Sequence, residues 1–505
     1  MSGMMRVRHL SKKMLFPVVI VLVAAMGIGL FFMYPNFSNN ENSGVLYKGP
    51  AAKVNGKKIK DEDFNRIYTA LLSGGFYQVS TSEEIKDKVL EYATEEMIIK
   101  EYIKKNKISI DNKELERFMN KMVYDRFKTP EELQGAYNYY NVKNKRELAN
   151  KFRETLNYRN MWAYLAKKWG LKVTEEELKE AYEEVELAHI LVATNSQVKQ
   201  DPLSDEEAKK RAEEAYQKVK SGTDFATVAR EYSDDSHSKD NGGSLGTDTL
   251  ANLKRSLVKD FMAAVVKMKA GEISAPVKTE YGYHIIKVVS RTEAKGKEFE
   301  TVKKDLERDI LTNKLLTEKR EEYEKWLKDE VKKAKIEIID PALRAFRLKK
   351  EEKWEAAALA YEKALKDKRY RDDLEVYLSA AESFREANQH QKALAVLDKY
   401  ELNPNDVRIQ MAKANVYDAM NDKKKAKDLL VQAAKNAGED LYKKRAILVL
   451  MEELKYEEEA KALEEEIKTI QARIEERQKQ EAKEYEEMMK NANEAMANEE
   501  TAENK

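Results

Sequence analysis

The rhythm of hydrophobic and polar positions divides the chain into segments of different character. Leu15 to Tyr34 is an unbroken uncharged run, preceded by Arg6, Arg8, Lys12 and Lys13. Wound as a helix, its twenty residues span roughly 30 Å of hydrocarbon. A basic cluster retained inside puts everything after Pro35 outside the cytoplasm. The pattern predicts a single-pass anchor over 14–35 behind a basic cytoplasmic tail over 1–13. Ala25-Met26-Gly27 offers a competing signal-peptide cleavage site, but apolar residues continue through Phe32 and Met33.

A polar linker over 36–49 follows. Val54 and Lys57 then bracket Asn55-Gly56, the pair preferred in two-residue hairpin turns, and Asp61 stands where it can cap a helix. From there to Glu184 apolar residues recur at helical spacing: Val89, Ala93, Met97 and Ile98 in one segment, Leu115, Phe118, Met119 and Met122 in another. Polar turns such as Lys104–Lys107 and Asp111-Asn112 separate them. No titratable constellation stands out, so 50–184 reads as a module of packed helices.

Near Val185 the period falls from about 3.6 to about 2. "VELAHILVAT" predicts a half-buried strand with His189, Leu191 and Ala193 on one face. Ser204 and Glu207 form a capping box ahead of a helix carrying Ala208, Ala212, Ala215 and Val219, which Gly222 can end. Phe225, Val228, Ala229 and Tyr232 mark a second helix, after which "SDDSHSKDNGGSLG" breaks into loop with Gly242, Gly243 and Gly246 as turn residues. Phe261 to Met268 reads as a third helix stopped by Gly271, and "TEYGYHIIKVV" returns as a strand headed by His284. The unit is β-α-α-loop-α-β, an α+β domain.

Lys+Arg 92 against Asp+Glu 91 leaves no basic excess, which removes a global nucleic-acid footprint. The chain has no cysteine, which excludes disulfides, thiolate metal sites, cysteine nucleophiles and an N-terminal lipidated cysteine. It has five histidines. His189 and His284 fall on the two strands, whereas His237 and His390 lie in polar surroundings and suggest no role.

The blocks "AHILV", "DFATVAREYSDDS", "GGSLG" and "GEISAPVKTEYGYHIIKV", in that order and spacing, resemble the parvulin family of peptidyl-prolyl isomerases over 185–290. The resemblance implies a small antiparallel sheet wrapped by helices. Carried over by position, it implies the family's paired sheet histidines at His189 and His284, an acidic site residue at Asp235, and Thr279 close to the histidine pair. It also implies a proline pocket formed by Leu245, Leu257 and Phe261. "TDTLANLKRSLVKDF" is longer than the usual segment before the pocket phenylalanine, which leaves the alignment of Leu257 open by a turn. Basic residues that would direct the site to phosphoproline are expected after the first strand, where only Lys199 stands.

Turning an X-Pro bond must cross roughly 18–20 kcal/mol of partial double-bond character. It makes and breaks no bond, so no metal, cofactor or covalent nucleophile is expected. The histidines are expected to organise a hydrogen-bond network rather than to transfer protons.

The flanks are similar in order and pattern to SurA-type and PrsA-type foldases, which implies that 50–184 is completed by 296–340 as one discontinuous chaperone module. From Pro341 onward, Ala357, Ala393, Ala426 and Ala460 recur at spacings of 36, 33 and 34. Ala364, Tyr400 and Ala433 follow three of them by seven residues, with Tyr361, Leu397 and Leu430 between. Ala381 with Phe384, and Ala414 with Tyr417, mark the preceding helices. The series resembles tetratricopeptide repeats and implies an α-solenoid over 341–470 with a concave face for a protein partner. A charged helix and a disordered end complete the chain over 471–505.

The expectation is a multidomain, mostly α protein with one α+β domain. It would be a membrane-anchored extracytoplasmic isomerase and chaperone, acting on unfolded or newly translocated chains with X-Pro bonds. The alternative is a non-catalytic holdase or assembly scaffold that uses the same domains only for binding.

Overall fold

The computed structural model describes residues 47–73, 81–140 and 142–503. The expected tail over 1–13 and anchor over 14–35, with most of the linker, lie outside these residues. Among the described residues no helix is long and apolar enough to cross a membrane. The chain divides into two units, one over 99–329 and one combining 47–98 with 330–503.

The chain enters through the hairpin of β1 (Ala52–Val54) and β2 (Lys57–Lys58). Asn55 and Gly56 take φ of 49° and 80° at its turn, as this two-residue connection requires. Helix α1 (Asp61–Ser73) begins at Asp61, whose carboxylate accepts from the Gly49 N–H at 3.0 Å. Helix α2 (Ser82–Lys105) buries Ile85, Val89 and Leu90 with Phe64 and Ile67 of α1, then carries the chain into the other unit.

There α3 (Asn112–Met119), α4 (Pro130–Tyr139), α5 (Lys145–Lys168) and α6 (Glu175–Tyr182) each start on a side-chain cap, from Asp111, Thr129, Asn144 and Thr174. Leu115, Met119, Leu148, Phe152 and Leu156 form the core among the first three of these helices.

The sheet follows: β3 (Glu184–Ala193), α7 (Asp205–Lys220), α8 (Phe225–Tyr232), β4 (Ser244–Thr249), α9 (Leu250–Ser256), α10 (Lys259–Val265), β5 (Val277–Thr279) and β6 (Gly282–Arg291). All pairings are antiparallel, in the order β4-β3-β6-β5. The capping box at Ser204 and Glu207 heads α7 as its sequence indicates.

Three features differ from the sequence reading. Ser244–Thr249 forms an edge strand where a loop was expected, because its backbone pairs with Glu184–Ala188. The long "TDTLANLKRSLVKDF" segment contains a helix of its own, α9, capped by Thr249. Finally, β3 is buried on both faces from Leu187 onward rather than half-buried. Helices α7 and α8 cover Ala188, Ile190 and Val192, while α9 and α10 cover Val185 and Leu187. Helix α11 (Gly296–Glu318) then lies along α5 and α6, burying Leu311 and Leu315 and placing Lys314 2.5 Å from Glu177.

Helix α12 (Arg320–Lys333) returns the chain to the unit of 47–98 and 330–503, where β7 (Ile336–Ile338) pairs with β1. Eight helices follow: α13 (Pro341–Lys350), α14 (Trp354–Ala364), α15 (Leu374–Glu386), α16 (His390–Leu397), α17 (Val407–Ala419), α18 (Lys423–Asn436), α19 (Leu441–Glu453) and α20 (Glu457–Glu503). Each packs on the next, and the recurring Ala357, Ala393, Ala426 and Ala460 are buried at these contacts.

Two further points concern the expected domain bounds. The single chaperone module over 50–184 with 296–340 is divided at residues 98 and 330. The cause is long-range burial: β1 pairs with β7, and α1 and α2 share their core with Leu343 of α13, whereas α11 packs on α5. The end of the chain, expected to be disordered, continues as helix to Glu503.

Candidate active site

Strand register brings the two histidines together. His189 on β3 pairs with Ile286 of β6, and Leu191 two residues on pairs with His284. The imidazoles therefore stand on one face as diagonal neighbours, within reach of each other. Pairing of β5 with β6 sets Thr279 opposite Gly282. All three side chains are buried.

The two rings stack with centroids 5.3 Å apart and an interplanar angle of 23°, bringing Nδ1 to within 3.1 Å of Nδ1. On one side, His284 Nε2 lies 2.9 Å from Thr279 Oγ1. On the other, His189 Nε2 lies 2.9 Å from Asp235 Oδ2. Asp235 arrives on the segment after α8, which is pinned to β3 at Leu191. There the Leu191 N–H donates to Ser233 Oγ at 3.2 Å, and the Asp234 N–H donates to the Leu191 carbonyl at 2.6 Å. Asp235 also accepts from the Ser238 hydroxyl in a short contact and from the His237 N–H at 3.2 Å.

These bonds orient the protons. The hydrogen bond from His189 holds the Asp235 carboxyl well below the usual carboxylate range; burial opposes this, and the Ser238 hydroxyl and His237 amide reinforce it. An ionised Asp235 only accepts, so His189 Nε2 carries the hydrogen. Burial, followed by the neighbouring His189, pushes the His284 pKa down to about 3, so this ring is neutral near pH 7. The neutral His284 ring carries one N–H hydrogen, so of its links to His189 Nδ1 and Thr279 Oγ1 it donates in one and accepts in the other. The threonine oxygen in turn accepts from the Tyr281 N–H at 3.1 Å.

Phe261 stands edge-on to both imidazoles, 6.0 Å from His189 at 70° and 5.3 Å from His284 at 89° between centroids and planes. Leu245 and Leu257 are half-buried against the same apolar cluster. The structure thus brings His189, Asp235, His284 and Thr279 into one polar network, and Leu245, Leu257 and Phe261 into one apolar wall beside it. Helix α9 absorbs the extra length of its segment, which leaves Leu257, its C-cap, in the cluster with Phe261.

Two contributors escaped the sequence reading. Ser238 is buried, with its Oγ also 3.2 Å from His189 Nε2; its only signal was a serine three residues after an aspartate in a turn-rich segment. Gly243, at φ 79°, is more than a turn residue. A Cβ there would sit 2.2 Å from the His189 carbonyl oxygen, while the Gly243 carbonyl accepts from the His189 N–H at 2.8 Å. His237, read as having no role, reaches within 3.5 Å of Asp235 Oδ1 with a side chain 96 % exposed.

Family models match this chain as a PPIC-type PPIASE domain over residues 189–290 and a SurA-like N-terminal domain over residues 4–132. Foldase protein PrsA of Caldanaerobacter subterraneus subsp. tengcongensis is 33 % identical over 298 residues, which cover 55 % of this chain and 84 % of that protein. This chain belongs to the PrsA foldase family. A second PrsA, from Clostridium tetani, is 28 % identical over 326 residues, or 58 % of this chain and 90 % of its own. A crystal structure of peptidylprolyl isomerase (PrsA) from Bacillus anthracis aligns with 47 % of this chain and 95 % of its own, at 25 % identity and a TM-score of 0.22. As a PrsA family member with a PPIC-type domain, the chain is a parvulin-type peptidyl-prolyl cis-trans isomerase.

Proposed function

We propose that the chain is a membrane-anchored extracytoplasmic foldase whose isomerase site is the polar network at Asp235 together with the apolar wall at Phe261. Phe261, Leu245 and Leu257 hold the pyrrolidine ring of a client's X-Pro bond. A planar amide carries more negative charge on its carbonyl oxygen than a twisted one, because twisting ends the conjugation. An ionised Asp235 facing that oxygen disfavours the planar state and so lowers the barrier. His189, His284 and Thr279 hold the carboxylate in place and exchange no proton with the client.

The observation that carries this reading is the run of hydrogen bonds that ends on the Asp235 carboxylate and whose two histidine rings stand edge-on to Phe261. A protease-coupled prolyl-peptide assay on the full chain tests it. Phe261→Ala and Asp235→Ala are expected to lower kcat/KM roughly 100-fold, or about 2.7 kcal/mol of barrier. A wild type no faster than Phe261→Ala would show that the site lies elsewhere.

The uncharged run Leu15–Tyr34 supports the anchor. Mass spectrometry of the membrane fraction is expected to find the N-terminus intact, and a mature chain starting near Ile28 would overturn it. Unfolded or newly translocated polypeptides are the clients. The tetratricopeptide-like array adds a seat for a protein partner: its inner helices and α2 line a groove of about 760 Å³, including Lys88, Leu378, Arg408, Met411 and Val449. A photocrosslinker at the half-exposed Val449 is expected to trap partners in cells that one at Leu402, exposed outside the groove, does not; equal trapping would remove the groove from the proposal.

A further inference from the structure

Helix α2 enters the repeat array with two acidic residues one turn apart, and the array treats them differently. Asp87 is buried against two cations, Arg347 Nε at 2.6 Å and Lys350 Nζ at 2.9 Å, both on α13. Glu83 is buried as deeply, at 4 % exposure, but among the described residues its hydrogen-bond partners are hydroxyls. Its Oε1 accepts from the Tyr361 hydroxyl of α14 at 2.9 Å, and its Oε2 accepts from the Ser379 hydroxyl of α15 in a short contact.

The other charged groups around Glu83 are already engaged. Lys349 of α13 reaches Ser379 Oγ at 3.1 Å but pairs with Glu382 of α15 at 2.6 Å. On α2 itself, Lys86 pairs with Asp373 at 3.0 Å, and Glu84 caps the Thr81 N–H at 2.8 Å. A buried carboxylate with no cation of its own is costly to ionise, whereas its protonated form satisfies the same hydroxyls without a charge.

We propose that the Glu83 carboxyl is a proton-operated latch: protonated, it seats the start of α2 between α14 and α15 of the array, and ionised, it loosens that seat. Burial pushes the Glu83 pKa up to about 7, against the lowering effect of Ser379, Tyr361 and Lys349 and with Asp373 adding to the rise. The latch therefore switches near neutral pH. Because Thr81 just before α2, and Glu84, Lys88 and Glu91 on it, form one wall of the groove, loosening the seat opens the partner surface as pH rises.

The sign follows from linkage. A folded value of about 7 above an ordinary value of 4.5 means that the latch contribution is complete below pH 4.5 and is lost as pH rises through 7.

Hydrogen–deuterium exchange on the full chain at pH 5.5 and 8.0, corrected for the intrinsic pH dependence of exchange, tests the latch. Protection of 81–92 and 354–386 is expected to fall roughly tenfold or more in the wild type, since each pH unit of one-proton linkage is a tenfold change in the opening equilibrium. In Glu83→Gln, which cannot ionise, protection is expected to be the same at both values. A wild type without the change, or a Glu83→Gln variant that keeps it, would overturn the proposal. If Glu83→Gln does not fold, Ser379→Ala decides: losing a donor to the ionised form should move the midpoint to higher pH, and an unmoved midpoint counts against the latch.

Discussion

His284 shows how far a single side chain depends on its surroundings. Alone on a strand it would be an ordinary structural histidine; beside His189, Thr279 and Phe261 it is a neutral ring in the middle of a buried hydrogen-bonded run. With its folded pKa at about 3 against an ordinary 6.5, the unfolded chain binds the extra proton first as pH falls. The isomerase domain is therefore expected to lose stability as pH drops below 6.5, most of it by about pH 3, and His284→Asn should flatten that loss in thermal melts followed against pH. Gly243 makes the second residue-level prediction. Gly243→Ala must push the backbone off His189, and a displacement on the order of 1 Å in an active site costs roughly 100-fold in rate. Its kcat/KM is expected to fall while far-UV circular dichroism at 20–25 °C stays near wild type; unchanged kinetics would mean that the loop gives way without moving His189.

At the scale of elements, the chain places its most demanding polar contacts where segments distant in sequence join. Asp340, fully buried, heads α13 by accepting from the Ala342 and Leu343 N–H groups at 2.9 and 3.0 Å. It also accepts from the Tyr47 hydroxyl at 2.6 Å and the Tyr370 hydroxyl, and pairs with Arg369 at 3.0 Å. Asp340→Ala leaves all these donors facing an apolar side chain. We expect a loss of roughly 3–5 kcal/mol by denaturant unfolding of the 47–98 and 330–503 unit, the usual cost of orphaning a buried charged partner. Isomerase kinetics should be untouched, because Asp340 belongs to the unit without the site.

Across the whole molecule, the two units carry opposite proton linkages: His284 in one binds its proton too weakly, and Glu83 in the other binds its proton too tightly. Scanning calorimetry is expected to show two transitions, the unit with the isomerase site gaining stability from pH 5.5 to 8.0 and the other losing it. A single transition, or two moving together, would show that the units unfold as one.

Much of this molecule was legible in local pattern. The Asn55-Gly56 turn, the capping box at Ser204, the two separate strands that carry His189 and His284, and the periodic alanines are each written in local spacing, whereas the pairing of the histidines came from the family resemblance. Those features are fixed by backbone preference and by the period at which apolar residues recur, and a chain carries both in its order. Tertiary structure alone decided that Ser244–Thr249 pairs as an edge strand, that Ser238 brings its hydroxyl to His189 Nε2, and that 50–98 joins helices α13–α20 rather than 99–184. Each of these depends on which remote surface buries a segment or completes a hydrogen bond, and such a choice exists only once the chain has folded back on itself.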